Sequence, residues 1–445
     1  MSSRRVVITG LAPVTAIGVG VTDFWNALLE GKSGIHRLQS FDPSRFESQI
    51  GGEIDGVKIA DYVPKSYRKA GKIMARDIVL AVAAAHQAVT DADLHTKCVL
   101  ERGEAGERNV DSARFGANIG AGLICADLPE LAETLYSATE NGQFSMAKWG
   151  AEGMNNLTPL WLLKFLPNML ACHVTIVHDA QGPSNTITCG EASSHLAIGE
   201  AFCTIARGVA DVCICGGAES KTNPMALMRQ CLGKRLSTNN DSPAKACCPF
   251  GRGRDGTVVS EGAGLVILEE LEHARNRGVR IYAELVGFGA SNDAYDATQP
   301  SKPHPDGRGL ALAAEKALKD AGVDPNEIDM VSAFACGLVD QDAAEAQAIT
   351  AILGDRVGQV PVLAVKGGLG NNGAGAGAID FIAAVLAMYN ATIPPAVNSD
   401  PADPECRLKL ITKEPVDARV DVALCNAYAL GGGQNASLVI KRLRD

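Results

Sequence analysis

Cysteine and histidine are the side chains best suited to nucleophilic and acid–base chemistry near neutral pH. The 445-residue chain holds 13 cysteines and 8 histidines. The histidines are His36, His86, His95, His173, His178, His195, His273 and His304, so none lies beyond His304. No two cysteines form a C-x-x-C pair, and no Cys/His spacing suits zinc, so neither a redox motif nor a metal site is expected. Cys213 and Cys215 alternate along an apolar run, which predicts one face of a buried strand. Cys247 and Cys248 are adjacent, which is poor geometry for a disulfide. Reduced core thiols are the expectation for such scattered cysteines. Glu191 and His195 stand four apart and would share a helix face, on which His195 could orient Glu191, though a partly buried helix histidine is the expectation. Ser193 and Ser194 have no recognisable base nearby and read as first-turn residues.

The elements that must position such groups are those of an ordinary globular chain. Hydrophobic residues make up 46% and charged residues 21%, which excludes a disordered or collagen-like protein. Glycine is abundant, at 47 residues, and aromatics are sparse, at 5%, so backbones are expected to approach closely. The net charge of −10 leaves no global field for nucleic acid or an anionic membrane. The chain opens without a signal-peptide pattern, and no run of about 18 uninterrupted apolar residues predicts a membrane span. A cytoplasmic protein is the expectation.

Apolar runs predict strands at 6–9, 115–121, 172–177, 212–215, 265–268, 281–286, 330–335, 420–425 and 437–441. Helical spacing covers 24–29, 70–92, 270–277, 310–321 and 377–388. This alternation predicts an α/β protein with mostly parallel sheets covered by helices. Two halves are expected, 1–258 and 259–445, with the break in the Gly-rich, charged stretch 251–262. No sequence repeat relates the two halves by inspection.

Several segments together resemble the β-ketoacyl-acyl-carrier-protein synthases of the type II, elongating class. They are Arg4-Arg5-Val6-Val7-Ile8-Thr9-Gly10-Leu11, the run from Trp25 to Ile35, Phe41-Asp42, Gly182-Pro183-Ser184, and Gly216-Gly217-Ala218-Glu219. Others follow at Pro249-Phe250, Arg254-Asp255-Gly256, Glu261-Gly262-Ala263-Gly264, the run from Tyr282 to Gly289, and Glu345-Ala346-Gln347-Ala348. The matches span about residues 4 to 441, and a stretch at 137–156 is longer than the family loop. The resemblance implies a thiolase-like fold of five layers, αβαβα, built from two βαβαβαββ halves, and a dimer. It also implies a condensing reaction that needs no cofactor. A cysteine at a helix N-terminus, where its thiolate is favoured, takes an acyl chain. Two histidines then assist malonyl decarboxylation by donating to the developing enolate oxygen.

The chain departs from that pattern at all three catalytic positions. Six residues separate Gly-Pro-Ser from the family cysteine, and the same count here ends on Glu191. A two-residue slip would instead put Cys189 there, on the strand rather than at the exposed turn. The strand before the first family histidine ends at 331–337, which sets Phe334 at that position. The second histidine lies five residues after a lysine, which sets Asn371 after Lys366. No register shift recovers either histidine, because the chain has none beyond His304. The family lysine is kept as Lys366, and a family glutamate appears as Asp380. Glu191 is expected to be a structural carboxylate that pairs with Lys366. The family's aromatic gate is replaced by Leu430 or Gly431, with Gly432 following in the Gly-rich loop, and these would face substrate. Losing a catalytic nucleophile costs about six orders of magnitude in rate, and losing an oxyanion donor about two to three, so condensation at this site is not expected.

The resemblance therefore points to a non-condensing homologue like a chain-length factor. Such a subunit shapes the acyl tunnel of an active ketosynthase as its heterodimer partner and meets acyl carrier protein. A homodimer is the alternative assembly. Two other functions stay open: altered chemistry on acyl- or malonyl-carrier protein in the same cleft, and a scaffold that binds carrier protein or acyl chains without turnover.

Overall fold

A computed structural model describes residues 4–293, 302–430 and 433–444. The N-terminal half supplies β1 (Val6–Thr15), α1 (Arg76–Asp91), β2 (Phe115–Ala121), α2 (Met169–His178), β3 (Ser184–Ile187), α3 (Ser193–Ala206), β4 (Val212–Ser220) and β5 (Val259–Glu270). The C-terminal half supplies β6 (Ala283–Asn292), α4 (Arg308–Ala321), β7 (Met330–Ser332), α5 (Val339–Leu353), β8 (Pro361–Leu363), α6 (Ala376–Asn390), β9 (Val422–Tyr428) and β10 (Gln434–Lys441).

The duplication that no sequence repeat revealed is plain in the strand pairing. The first sheet runs β3-β2-β4-β5-β1 and the second β8-β7-β9-β10-β6, the same permutation. In each half the first pairings are parallel, β2 with β3 and β4, and β7 with β8 and β9. In each half the last pairings are antiparallel, β5 with β4 and β1, and β10 with β9 and β6. β1 and β6 join the two sheets where Val6–Ile8 meets Ala283–Leu285. β5 hydrogen-bonds along its length between β4 and β1, so the N-terminal sheet extends to Glu270, beyond the division expected at 258/259.

Helices α1 and α2 cover the outer face of the first sheet, α3 and α6 fill the space between the sheets, and α4 with α5 lies outside the second. The result is the expected five-layer, thiolase-like α/β architecture. Glycine permits the closest of these contacts. A Cβ on Gly10 of β1 would stand 2.4 Å from the Ala88 carbonyl oxygen of α1. Next to it, α1 presents a solid apolar face, Ile78, Leu80 to Ala85, Ala88 and Val89, all buried.

Two expected elements differ. The run at 172–177, expected as a strand, is part of helix α2. Its β-branched residues favour a strand locally, but Leu170, Ala171, Val174 and Val177 fall on one helical face, and burying that face against α1 outweighs the propensity. The helix expected over 70–92 breaks at Met74 and Ala75, leaving a 3-10 segment (Lys65–Ile73) before α1. The long stretch at 137–156 folds into a small hairpin, Thr139–Glu140 with Gln143–Phe144, followed by a short helix, Met146–Ala151. Among the described residues, one helical stretch, Gly373–Asn390, is long and apolar enough to cross a membrane, and 89% of it is buried inside the protein. It is the core helix α6 with the turn before it.

Candidate functional site

The turn between β3 and α3 carries Glu191. Gly190 adopts φ 57°, a left-handed conformation that glycine takes without a Cβ penalty. Ser193 hooks the turn closed: its hydroxyl accepts the Cys189 N–H at 2.8 Å and donates to the Gly190 carbonyl at 2.6 Å. Ser194, one residue on, accepts the Ala378 N–H at 2.9 Å and so fastens α3 to α6. Both serines are thus occupied in holding backbone.

The Glu191 side chain points inward and meets donors from three directions. Lys221 Nζ lies 2.9 Å from Oε1, and the Leu430 N–H donates to Oε2 at 3.0 Å. The Asn371 side-chain amide approaches Oε1 at 3.5 Å, while its own Oδ1 accepts the Gly373 N–H at 2.9 Å. Burial opposes the charge, but Lys221 and the Leu430 N–H outweigh it and hold the carboxyl at about 2. Glu191 is therefore a saturated carboxylate, a weak base and a weak nucleophile. Cys189 is half-buried, and burial raises its thiol above the usual range, the opposite of an activated cysteine.

The ion pair expected between Glu191 and Lys366 does not form. Lys366 instead donates to the Phe334 carbonyl at 2.6 Å and makes a very short ion pair with Asp380 of α6. Its ammonium also sits 3.7 Å from the centre of the Phe334 ring. The reason is topological: Lys366 precedes α6 and Asp380 stands on α6 itself, while Glu191 enters from the turn before α3 and finds Lys221 just past the end of β4. His195 is the buried helix histidine that the sequence favoured over an orienter of Glu191. It turns to Phe381 with ring centroids 6.1 Å apart rather than to Glu191, and burial, with the Lys366 charge beyond it, pushes its imidazole down to about 3.

Phe334 occupies a loop fixed by carboxylates. Glu345 accepts the Phe334 and Ala335 N–H groups at 2.7 Å each, and Asp342 accepts those of Cys336 and Gly337 at 3.0 and 3.1 Å. The Phe334 ring is fully buried against Tyr428, centroids 4.8 Å apart, in a cluster that includes Leu430 and Leu310. An aromatic ring therefore fills this position and offers no proton. Leu430 touches the site through both its backbone and its side chain. Gly431 and Gly432 lie outside the described residues.

Glu191 forms part of the wall of an open cleft of about 340 Å³, with Cys189, Glu219, Lys221, Arg229 and Arg235 around it. Lys221, Arg229 and Arg235 were not singled out by sequence reasoning. They stand 30 to 44 residues from Glu191 without a recognisable motif, and only the β4 end and the following helix bring them over the turn. No group of three or more metal-ligating side chains occurs among the described residues.

Residues 3–274 match the model of the β-ketoacyl synthase N-terminal domain, and residues 282–400 match that of the C-terminal domain. The chain is 34% identical to a 3-oxoacyl-[acyl-carrier-protein] synthase 2 of Vibrio harveyi over the whole of both chains. It is 35% identical, again over the whole of both, to the corresponding synthase of Vibrio cholerae serotype O1. Among solved structures, a β-ketoacyl synthase from Burkholderia phymatum superposes with a TM-score of 0.84 at 29% identity, covering 99% of this chain and 100% of that one. The ishigamide ketosynthase/chain length factor superposes with a TM-score of 0.82 at 29% identity and the same coverage. A type II polyketide acyl-carrier protein in complex with its ketosynthase bound to the hexaketide gives 0.84 at 28% identity.

Proposed function

The chain belongs to the β-ketoacyl synthase family, and we propose that it is a non-condensing member, a chain-length-factor-like partner of an active β-ketoacyl-acyl-carrier-protein synthase. The observation that carries this reading is the state of Glu191. It takes the turn at the start of α3, where the resemblance sets the family nucleophile. There it is buried, ionised and already bonded to Lys221, Leu430 and Asn371. Phe334 and Asn371, at the positions matched to the family histidines, offer no titrating group. A polypeptide that keeps the whole fold without a nucleophile–base pair is suited to work through a partner, and a symmetric interface readily diverges into a heterodimer.

The partners in this reading are an active ketosynthase and an acyl carrier protein, in the cytoplasm. A basic row on the 3-10 segment before α1, Lys65, Arg68, Lys69 and Lys72, all exposed, favours docking of an acidic partner. Coexpression with an active ketosynthase from the same source tests the proposal. A stable one-to-one complex that condenses only when both chains are present is the expected result. Condensation by this chain alone, or a homodimer that leaves the ketosynthase unaffected, would overturn it.

A second reading, an altered reaction on malonyl carrier protein, draws support from the open cleft at the Glu191–Lys221 pair. It predicts release of acetyl carrier protein from malonyl carrier protein, and no such product is expected if the first reading holds.

A further inference from the structure

A second pocket, of about 880 Å³, opens where the start of α1, the end of β4 and the segments 36–41, 53–56 and 125–130 meet. It shares no lining residue with the cleft over Glu191. Six carboxylates line it: Glu53, Asp55, Asp77, Asp127, Glu130 and Glu261. Two of them have ion pairs. Arg76 holds Glu261 at 2.9 Å, and Lys164 makes a very short pair with Glu130. Six less two leaves four without a permanent cation among the described residues. Glu53 accepts the Gln39 and Ser40 N–H groups at 2.8 and 3.0 Å and has His36 at 3.7 Å, a cation only when protonated. Asp127 stands before the helix Leu128–Ser137 but makes no capping bond to it.

Asp77 is only 4% exposed, yet it lines the pocket. Its Oδ1 accepts the Ser220 N–H at 3.0 Å, which ties β4 to α1, and among the described residues no other residue's donor reaches its Oδ2. Burial, with Glu219 and Glu261 nearby, lifts this carboxyl to about 7. A buried carboxylate is ordinarily matched by a cation, and Asp77 has none, while the pocket lies on its open side.

No group of three or more metal-ligating side chains occurs among the described residues, so these carboxylates are too dispersed to close on a metal ion. Spread over three segments, they suit a flexible cation with more than one charge. Phe41, Leu128 and Pro129 add an apolar lining against which an alkyl spacer can pack, and the Phe41 ring can attract a cation. The volume lies within the range of small-molecule sites.

We propose that this pocket binds a linear polyamine, with one ammonium on Asp77 Oδ2 and the others on Asp55 and Asp127 at the exposed rim. The inference does not depend on whether Glu191 condenses.

Titration calorimetry of the full chain with spermidine tests it at pH 8, above the Asp77 value of about 7. Saturable binding of one molecule per chain is expected. Hexylamine, with one ammonium, should bind about fivefold more weakly, the worth of two exposed ion pairs. Asp77→Asn, whose amide oxygen can still accept the Ser220 N–H, should weaken spermidine about tenfold, the loss of one charged hydrogen bond. Asp127→Asn, at an exposed position, should weaken it about twofold to fivefold and keeps the test decisive if Asp77→Asn folds poorly. Glu414→Gln removes the same charge from an exposed site outside the pocket and should leave binding unchanged. No saturable binding up to about 1 mM would overturn the proposal. So would equal weakening by Glu414→Gln and Asp77→Asn, which would reduce the effect to attraction by the net charge of −10. Hexylamine binding as tightly as spermidine, or binding unchanged in both Asp77→Asn and Asp127→Asn, would overturn it equally.

Discussion

Two buried lysine–carboxylate pairs in this molecule behave differently. Lys221–Glu191 lies against the open cleft, with side-chain exposures of 8% and 5%, and Lys366–Asp380 is sealed inside the second half at 2% each. Glu191 collects an ammonium, a backbone N–H and an amide, and its carboxyl is held at about 2. Among the described contacts Asp380 has Lys366 alone, and burial lifts its carboxyl to about 7 against that single attraction. The number of donors around a carboxylate, more than the presence of a counter-ion, decides whether burial or pairing prevails.

The strongest way to break this contrast is to remove one cation from the sealed pair. Lys366→Met should destabilise the protein by about 3–5 kcal/mol in urea unfolding, because it strands a buried carboxylate and an unpaired Phe334 carbonyl. A loss below about 1 kcal/mol would mean that the pair is not the anchor its geometry suggests.

The pH dependence should separate the two carboxylates by sign. Glu191 is depressed when folded, so its contribution is present above the unfolded value of about 4.3 and is lost as pH falls toward 2. Asp380 is raised when folded, so its contribution is greatest below the unfolded value of about 3.9 and is lost as pH rises through about 7. Subtracting the unfolding free energy of Glu191→Gln from that of the parent between pH 3 and 8 should give a difference that shrinks toward acid. The same subtraction with Asp380→Asn should give one that shrinks toward neutral pH. Two slopes of the same sign would refute the contrast.

A chemical probe sharpens it at the cleft. In Glu191→Cys the new thiol would stand beside Lys221 and the Leu430 N–H, a setting that favours thiolate, whereas burial raises the native Cys189. Iodoacetamide should therefore label residue 191 several-fold faster than Cys189 at pH 7, as read by peptide mass spectrometry, about what a one-unit difference in thiol pKa produces. The smallest effect is expected at the third donor. Asn371→Ala removes a 3.5 Å contact to Glu191 and the bond to the Gly373 N–H, and should cost about 1 kcal/mol.

The strands were legible where one short apolar run fills one buried strand, as at Phe115–Ala121, whereas the run at 212–215 marked only the start of Val212–Ser220, which continues through the glycines expected to close it. The run at 172–177 misled, because its residues satisfy strand propensity and helical spacing alike, and the choice fell to packing against α1. At the site, counting from Gly182-Pro183-Ser184 led to Glu191, and counting from Lys366 led to Asn371. The structure brings these two side chains to 3.5 Å from each other across the two halves. The partner of Glu191 was misjudged. Lys366 was the recognisable lysine, whereas Lys221 follows a glycine-rich strand and carries no motif of its own.

By itself the sequence determined what the region lacks: no histidine follows His304, and no thiol falls at residue 191, whatever the fold. Identity and order along the chain suffice for that, because a side chain that is absent cannot be supplied by packing. Which lysine neutralises which carboxylate, whether Phe334 fills its space, and that Arg229 and Arg235 meet over one cleft were decided only by the tertiary structure. Those outcomes depend on distances between groups tens to hundreds of residues apart, which the pairing of two duplicated sheets sets and local spacing does not encode.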